Sequence, residues 1–277
     1  MSSLPPAVAP TTRSGSRPVP KLSSLNRSIA GSVALVTGAA SGMGRATARL
    51  FADEGAKLVL VDINAGGLDE VAADIRDAGG DVFTAVADCA DQAALTDAVT
   101  RGAEHFGQLD IVVNNAGLAT IAAFGDDSYD AAWETSLAVM TSAQQWAIRA
   151  ALPFLRQAGH PRIVNVASTE ALGATSYNSA YVVAKHGAVG LTRALAVELG
   201  KEGITVNCVC PGPINTAITA GIPEDDKATY ARRRTALRRY GEPEEVAQVT
   251  LSLVLPAASF ITGATIPVDG GLTIRNA

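Results

Sequence analysis

The stretch Val33-Ala-Leu-Val-Thr-Gly-Ala-Ala-Ser-Gly-Met-Gly44 decides the fold, because an apolar, β-branched run leads directly into a glycine-rich turn. Without Cβ atoms at Gly38, Gly42 and Gly44, the backbone can turn sharply and approach a ligand closely. A helix predicted to begin near Arg45 would offer unpaired N–H groups to an anion at that turn. Between a buried strand and a helix, the turn predicts a pyrophosphate-binding loop rather than a plain strand–helix connection.

Short apolar runs alternate with helix-length amphipathic segments from residue 32 onward. The predicted strands are Val33–Thr37, Lys57–Asp62, Val82–Ala87, Ile111–Asn114, Arg162–Ala167, Thr205–Cys210 and Thr265–Val268. Most of these runs are near-continuously apolar, as strands buried on both faces are. The predicted helices include Ala46–Glu54, Leu68–Asp77, Ala93–Phe106 and Tyr181–Gly200. The alternation predicts an α/β fold: a Rossmann-type, doubly wound, seven-stranded parallel sheet with helices on both faces, in a single domain.

Composition and charge exclude several classes of protein. The chain of 277 residues carries a net charge of −5, and its first 30 residues contain basic but no acidic side chains, so the remainder is more acidic still. An acidic body argues against nucleic acid as a partner, because phosphate binding needs a basic face. The arginine cluster within 232–239 is the exception, and we interpret it as a solvated helix face or an intersubunit contact.

The remaining compositional features are a proline-rich start and three scattered cysteines. Residues 1–28 are rich in Pro and Ser, basic and without periodicity, which predicts a disordered tail. No apolar run reaches the length of a membrane span. Cys89, Cys208 and Cys210 form no Cys-x-x-Cys pattern, so we expect no metal site and no disulfide framework, but reduced thiols in a cytoplasmic protein.

An acidic residue ends the second predicted strand, 24 residues after Gly38. The carboxylate of Asp62 would accept hydrogen bonds from both hydroxyls of an adenosine ribose and repel a 2′-phosphate. Neither Ile63 nor Ser41 offers the cation that such a phosphate needs. The sequence therefore predicts NAD rather than NADP as the cofactor.

Further polar residues follow the third and fourth strands, where open α/β sheets hold ligands. Asp88 and Cys89 close the third strand, and Asn114-Asn115-Ala116-Gly117 close the fourth. Each group is also compatible with an ordinary turn at the entry to a loop.

Three residues near the fifth strand form a candidate catalytic group. Tyr181 and Lys185 are four residues apart in a predicted helix and so share a face, and Ser168 lies just past the strand. A lysine ammonium together with the charge of an oxidised nicotinamide would favour the tyrosine phenolate. Tyr181 can then exchange a proton with an alcohol or ketone oxygen that Ser168 holds, while a hydride moves to or from nicotinamide.

Taken together, Thr37–Gly44, Asn114–Gly117, Ser168, Tyr181 with Lys185 and Pro211-Gly212 resemble the short-chain dehydrogenase/reductase family. The resemblance covers residues 29–277. It implies the strand order 3-2-1-4-5-6-7, hydride transfer without a metal, and assembly into a homodimer or homotetramer. It also implies that Lys185 binds the nicotinamide ribose and that Pro211–Thr216 enclose the carboxamide.

On these grounds we divide the chain into the tail, 1–28, and an NAD-binding Rossmann catalytic domain, 29–277, with a lid at about 213–240. The predicted cofactor-binding residues are Gly38, Ser41, Gly42, Met43, Gly44, Asp62, Ile63, Asp88, Cys89, Asn115, Ala116, Gly117, Tyr181, Lys185, Pro211, Gly212, Ile214 and Thr216. The substrate candidates are Leu118, Thr169, Glu170, Tyr177 and Ile218. Glu170 is the polar exception, which either recognises a hydroxyl or amine or faces solvent.

One position departs from the family pattern. Family members usually carry an asparagine seven residues after an aromatic residue such as Trp133, where it helps to hold a water that relays protons from the lysine. Here that position is Met140, which accepts hydrogen bonds weakly and donates none. We consider three interpretations: the relay runs through Thr141, Ser142 or backbone carbonyls; the enzyme is impaired; or backbone and water suffice.

The sequence therefore predicts an NAD-dependent oxidoreductase that interconverts a secondary alcohol and its ketone, with a small-molecule substrate. Two alternatives remain. The first is a 3-oxoacyl-thioester reductase, which Asp62 opposes because that role usually goes with NADPH in the family. The second is a catalytically impaired NAD-binding sensor or scaffold, which only Met140 favours.

Overall fold

A computed structural model describes residues 24–276. Its strands are β1 (Val33–Thr37), β2 (Lys57–Asp62), β3 (Val82–Val86), β4 (Ile111–Asn114), β5 (Arg162–Val166), β6 (Thr205–Pro211) and β7 (Thr265–Val268). They form one parallel sheet in the order β3-β2-β1-β4-β5-β6-β7. The predicted Rossmann-type sheet and its strand order are confirmed.

Eight α-helices in the described part of the chain cover the sheet. They are α1 (Gly42–Asp53), α2 (Ala65–Asp77), α3 (Gln92–Phe106), α4 (Tyr129–Leu137), α5 (Ala143–Leu155), α6 (Ser179–Leu199), α7 (Glu224–Arg234) and α8 (Pro243–Val254). A π-helical turn, Ala138–Ser142, joins α4 to α5, and short 3₁₀ turns follow β5, α6, β6 and α8.

The sheet separates two apolar cores, because alternate residues of a strand point to opposite faces. In β1, Val33 and Leu35 belong to the core under α3, α5 and α6. Ala34 and Val36 belong to the core under α1, α2 and α8. All five residues of β1 are buried, which explains why its sequence is continuously apolar instead of alternating.

The observed boundaries differ from the predicted ones mainly at helix starts. Helix α1 begins at Gly42 instead of near Arg45, so the glycines that reduce helix propensity form its first turn. The predicted lid at 213–240 contains a 3₁₀ turn, Ala217–Thr219, and α7. Most of the predicted tail lies outside the described residues. Within the part that is described, Asn26 accepts a hydrogen bond from the Ala257 amide at 2.9 Å.

None of the helices within residues 24–276 combines the length and apolar character required to span a bilayer.

Candidate active site

A cavity of about 780 Å³ runs along the carboxyl ends of the parallel strands. Residues that follow β1, β2, β3, β4, β5 and β6 line it, as expected for a ligand site in an open α/β sheet. All the predicted cofactor-binding residues except Gly44 line this cavity, and so do Ser168, Leu118 and Ile218. The structure thus brings residues that are far apart in sequence into a single cleft.

The glycine turn after β1 brings the start of α1 to the cavity. Gly38 and Gly42 have positive φ angles, 66° and 52°, which a side chain would strain. Gly44 lies behind the cavity wall, where a Cβ would collide with the carbonyl oxygen of Gly38. The glycines therefore have two different tasks: two allow the turn, and one allows α1 to pack against it.

The amino end of α1 has no side-chain cap, unlike its neighbours. Asn64 caps α2 and Asp91 caps α3 by accepting backbone N–H bonds, whereas Ser41 makes no such bond at the start of α1. Gly42 and Met43 at this end line the cavity. The amides of the first turn are thus available to an anion in the cavity, with the helix dipole adding attraction.

Asp62 lies at the end of β2 with its carboxylate held by two backbone amides. Oδ2 accepts from the Ala40 N–H and Oδ1 from the Asn64 N–H, each at 2.9 Å. These bonds fix the carboxylate at one end of the cavity and leave each oxygen a second acceptor position. Ile63, beside it, is two-thirds exposed and brings no charge.

The loop after β4 is tied to the glycine turn. The side-chain amide of Asn115 donates to the carbonyl oxygens of Thr37 and Gly38, at 2.9 and 3.1 Å. Thr37 Oγ1 in turn accepts from the backbone N–H groups of Asn115 and Ala116, both at 3.1 Å. The remaining side-chain oxygen of Asn115, Oδ1, is buried and has no partner among the described residues. A buried acceptor of this kind indicates that a donor from a bound ligand or water belongs there.

Ser168, Tyr181 and Lys185 lie together on the wall formed by β5 and α6. Ser168 Oγ accepts the Glu170 amide at 3.1 Å, so its own hydroxyl hydrogen is available to another group. Lys185 is buried, donates to the Val166 carbonyl at 3.0 Å, and has its Nζ 5.5 Å from the centre of the Tyr181 ring. The arrangement can hold an oxygen atom and exchange a proton with it.

Burial is the main cause of the pKa shifts of Tyr181 and Lys185. It raises the pKa of Tyr181 above its ordinary value, opposed by the hydrogen bond from Ser168 and reinforced by Glu170 and Cys210. Burial also lowers the pKa of Lys185 to about 8. The protein alone therefore keeps Tyr181 protonated. Because burial also disfavours the charged form of Lys185, formation of the phenolate requires positive charge from a further group.

Cys89 lines the cavity beside two carboxylates. Burial, together with Asp62 and Asp88, raises the pKa of its thiol to about 12. The thiol is accordingly unreactive toward electrophiles at neutral pH, since the thiolate is the nucleophilic form.

Three of the five substrate candidates lie outside the cavity lining: Thr169, Glu170 and Tyr177. Glu170 turns toward Thr175, whose amide and hydroxyl both donate to the carboxylate, at 2.8 and 2.7 Å. Tyr177 is exposed at a positive φ of 63°, with its carbonyl bonded to the Ala122 amide at 3.1 Å. These three residues therefore do not contact the cavity directly, although Glu170 donates its main-chain N–H to Ser168 Oγ.

Helix α4 and the π-helical turn contribute residues to the lining that were not among the predicted site residues. These are Glu134, Thr135, Ala138 and Val139. Their spacing matches one helical face, which is the signal that could have found them. Nothing in the sequence shows that this face meets the cavity rather than the core.

The comparisons with known proteins identify the family. A family model described as enoyl-(acyl carrier protein) reductase matches residues 38–273. Cis-4-hydroxycyclohexanecarboxylate dehydrogenase of Sinomonas cyclohexanicum is 41% identical over 241 residues, which cover 87% of this chain and 96% of that protein. The chain belongs to the short-chain dehydrogenase/reductase family. Such relatives support an oxidoreductase acting on CH–OH groups.

Two similar solved structures contain different cofactors. Carveol dehydrogenase from Mycobacterium avium in complex with NAD has a TM-score of 0.86 at 29% identity, covering 90% of this chain and 100% of that one. L-Sorbose reductase from Gluconobacter frateurii, complexed with NADPH and L-sorbose, has a TM-score of 0.84 at 29% identity, covering 91% and 100%. The family thus uses nicotinamide cofactors of both kinds.

Proposed function

We propose that this chain is an NAD-dependent oxidoreductase that interconverts a secondary alcohol and its ketone. One observation carries the proposal: a single cavity has the fixed carboxylate of Asp62 at one end and Ser168, Tyr181 and Lys185 along its wall. The first feature suits an unphosphorylated ribose and the second suits an oxygen that gains or loses a proton.

The residues present fit a nicotinamide dinucleotide. The uncapped start of α1 suits the pyrophosphate, and the unpartnered Asn115 Oδ1 suits a donor from the ligand. The volume of about 780 Å³ is in the range of small-molecule sites. When bound, this cofactor supplies or accepts the hydride.

The chain itself handles the proton and orients the substrate. The Ser168 hydroxyl, hydrogen-bonded to Tyr181 in the free protein, donates to the substrate oxygen when substrate binds and holds it beside Tyr181. Tyr181 Oη, which burial keeps protonated, gives its proton to a ketone oxygen in the reduction direction, and in the oxidation direction its phenolate form takes a proton from the alcohol. Lys185 favours the anionic tyrosine when it is charged, and its remaining N–H groups suit the nicotinamide ribose.

The test is a panel of cyclic and acyclic secondary alcohols and ketones, assayed with NAD(H) and NADP(H) in parallel. Cyclohexanols, vicinal diols and polyols form the core of the panel, because relatives named for such substrates are 35–41% identical to this chain. We expect turnover with a clear preference for NAD(H). Tight NADH binding without turnover on any member would instead favour a sensor or scaffold, and a preference for NADPH with 3-oxoacyl thioesters would favour the reductase alternative.

A further inference from the structure

The cavity carries an excess of negative charge. The charged side chains that line it, within residues 24–276, are Asp62, Asp88, Glu134 and Lys185. The single ammonium among them is buried and already donates to the Val166 carbonyl. The uncapped start of α1 can bind phosphates. An anionic group on a substrate has no comparable partner among the residues that line the cavity.

A further carboxylate, that of Glu170, is held by hydrogen bonds outside the cavity lining, two residues after Ser168. Its main-chain N–H donates to Ser168 Oγ at 3.1 Å, so the residue is attached directly to the candidate catalytic group. Its two carboxylate oxygens accept from the amide and the hydroxyl of Thr175, at 2.8 and 2.7 Å. Each oxygen keeps an acceptor position, and the carboxylate cannot swing away without losing both bonds.

The charge of Glu170 contributes to the pKa shifts of two tyrosines, Tyr181 and Tyr230. Burial is the main cause of the raised pKa of Tyr181 on α6 and of Tyr230 on α7, and Glu170 contributes to both. Arg234 opposes the shift in the pKa of Tyr230, which places this cation on the α7 side, outside the cavity lining. Glu170 thus shifts both pKa values in the direction expected of a negative charge near each tyrosine.

The cavity that contains Ser168 and Tyr181 also has an apolar wall, beside the polar side chains of Glu134, Thr135 and Thr219. Leu118, Ala138, Val139, Ala217 and Ile218 line it around Ser168 and Tyr181. Such a wall suits a hydrocarbon ring or chain, and it lowers the local dielectric constant, so that an unpaired charge costs more there.

We infer that this site takes neutral alcohols and ketones with an apolar body, and that Glu170 determines this specificity by repelling anionic substrates. The inference rests on the proposed function and names its substrate class. A neutral substrate adds no charge opposite Glu170, and a second hydroxyl or amide on it can donate to a free acceptor position of that carboxylate. An anionic substrate brings a like charge toward this carboxylate, and the repulsion is largest at low ionic strength, because the Glu170–Thr175 hydrogen bonds are exposed to solvent.

The experiment compares two substrates of the same ring, cis-4-hydroxycyclohexanecarboxamide and cis-4-hydroxycyclohexanecarboxylate. We expect the natural chain to prefer the carboxamide by roughly tenfold or more in kcat/KM, mainly through KM. Glu170→Gln should reduce this preference by roughly tenfold through better use of the carboxylate. The control is Glu104→Gln, which removes an exposed charge on α3 outside the cavity lining and should leave the preference unchanged.

A binding measurement separates this inference from the proposed function. The affinities of cyclohexanecarboxamide and cyclohexanecarboxylate for the protein–NADH complex are measured by titrating NADH fluorescence, which requires no turnover. Tighter binding of the carboxamide that is lost in Glu170→Gln supports the inference even if no alcohol is oxidised, a result that would contradict only the proposed function. Equal affinities, preference for the carboxylate, binding of neither compound, or an unchanged preference in Glu170→Gln would overturn the inference.

Discussion

Met140 and Lys185 both approach the same side of Gly117. A Cβ on Gly117 would lie 3.6 Å from Lys185 Nζ and 3.7 Å from Met140 Sδ. Met140 is fully buried in the π-helical turn, and the hydroxyl of the next residue, Thr141, donates to the Ala184 carbonyl at 2.9 Å. The thioether, a weak acceptor that donates nothing, thus lies on the same side of Gly117 as the ammonium, while the hydrogen of the neighbouring Thr141 hydroxyl is already donated to Ala184.

Replacing this thioether tests whether it limits proton exchange. We expect Met140→Asn to raise kcat by roughly threefold or more at a pH where proton transfer limits turnover, because an amide can both donate and accept. Met140→Leu is the matched control, since it keeps the volume and apolar character, and its kcat should stay close to that of the natural chain. If kcat fails to rise in Met140→Asn at any pH from about 6 to 10, backbone and water suffice at this position.

Tyr181 is the proposed acid and base, so removing its hydroxyl should stop the reaction while leaving the binding of NADH nearly unchanged. We expect Tyr181→Phe to lower kcat/KM by roughly 10²–10⁴-fold. Its affinity for NADH, measured by fluorescence titration, should change by less than about threefold, a difference below 1 kcal/mol. Tyr240→Phe, outside the cavity lining, is the control. Retention of activity in Tyr181→Phe would refute the assignment.

Asp62 should decide between the two nicotinamide cofactors. We expect Asp62→Asn to lower the ratio of kcat/KM for NAD to that for NADP by roughly tenfold or more, because it removes the charge that repels a 2′-phosphate. Asp88→Asn removes an equal charge from the same cavity, but not at the end of β2, and should change the ratio less. An equal effect of both substitutions would assign the selectivity to the overall charge of the cavity instead of to Asp62.

The fold could be predicted almost completely, because buried parallel strands are recognisable from their composition alone. The predicted boundaries of all seven strands agree with the observed ones within one residue, and only the ends of β3, β5 and β6 differ by that residue. Helix starts were harder: Gly42–Gly44 read as a loop by propensity, yet they form the first turn of α1. Here the closely packed turn between β1 and α1 overrides the intrinsic cost of glycine in a helix.

In the candidate site, too, the residues on strands were predictable and several residues on helices were not. Residues at strand ends were predicted because every parallel strand ends at the same edge of the sheet. The contribution of Glu134 and Val139 depends on the rotation of α4 and the π-helical turn against the sheet, which packing sets and local sequence does not. The direction of the Glu170 side chain could not be predicted from the sequence for a similar reason, since its hydrogen-bond partner, Thr175, lies in an irregular loop.

The buried ammonium of Lys185 should make stability depend on pH in a characteristic direction. Burial lowers its pKa from 10.5 to about 8, so between these values the unfolded chain binds a proton that the folded chain has lost. Where the unfolded state binds more protons, the free energy of unfolding rises with pH. Below about pH 8 both states are protonated, and the folded state carries the full cost of the buried charge.

We therefore expect the natural chain to gain stability relative to Lys185→Met as the pH rises from 7.5 to 10, by about 2 kcal/mol. Lys185→Met keeps the apolar stem and removes the titrating group, so the titrations of groups that do not interact with Lys185 contribute equally to both chains and cancel in the difference. The charge of Lys185 also lowers the pKa of Cys208 and Cys210, so the difference contains this coupling as well. Urea unfolding at pH 7.5, 9 and 10 gives the free energy of unfolding of each chain. A difference that stays constant with pH, or one that falls, would mean that the ammonium retains its ordinary hydration and is not the desolvated group on which the proposed tuning of Tyr181 depends.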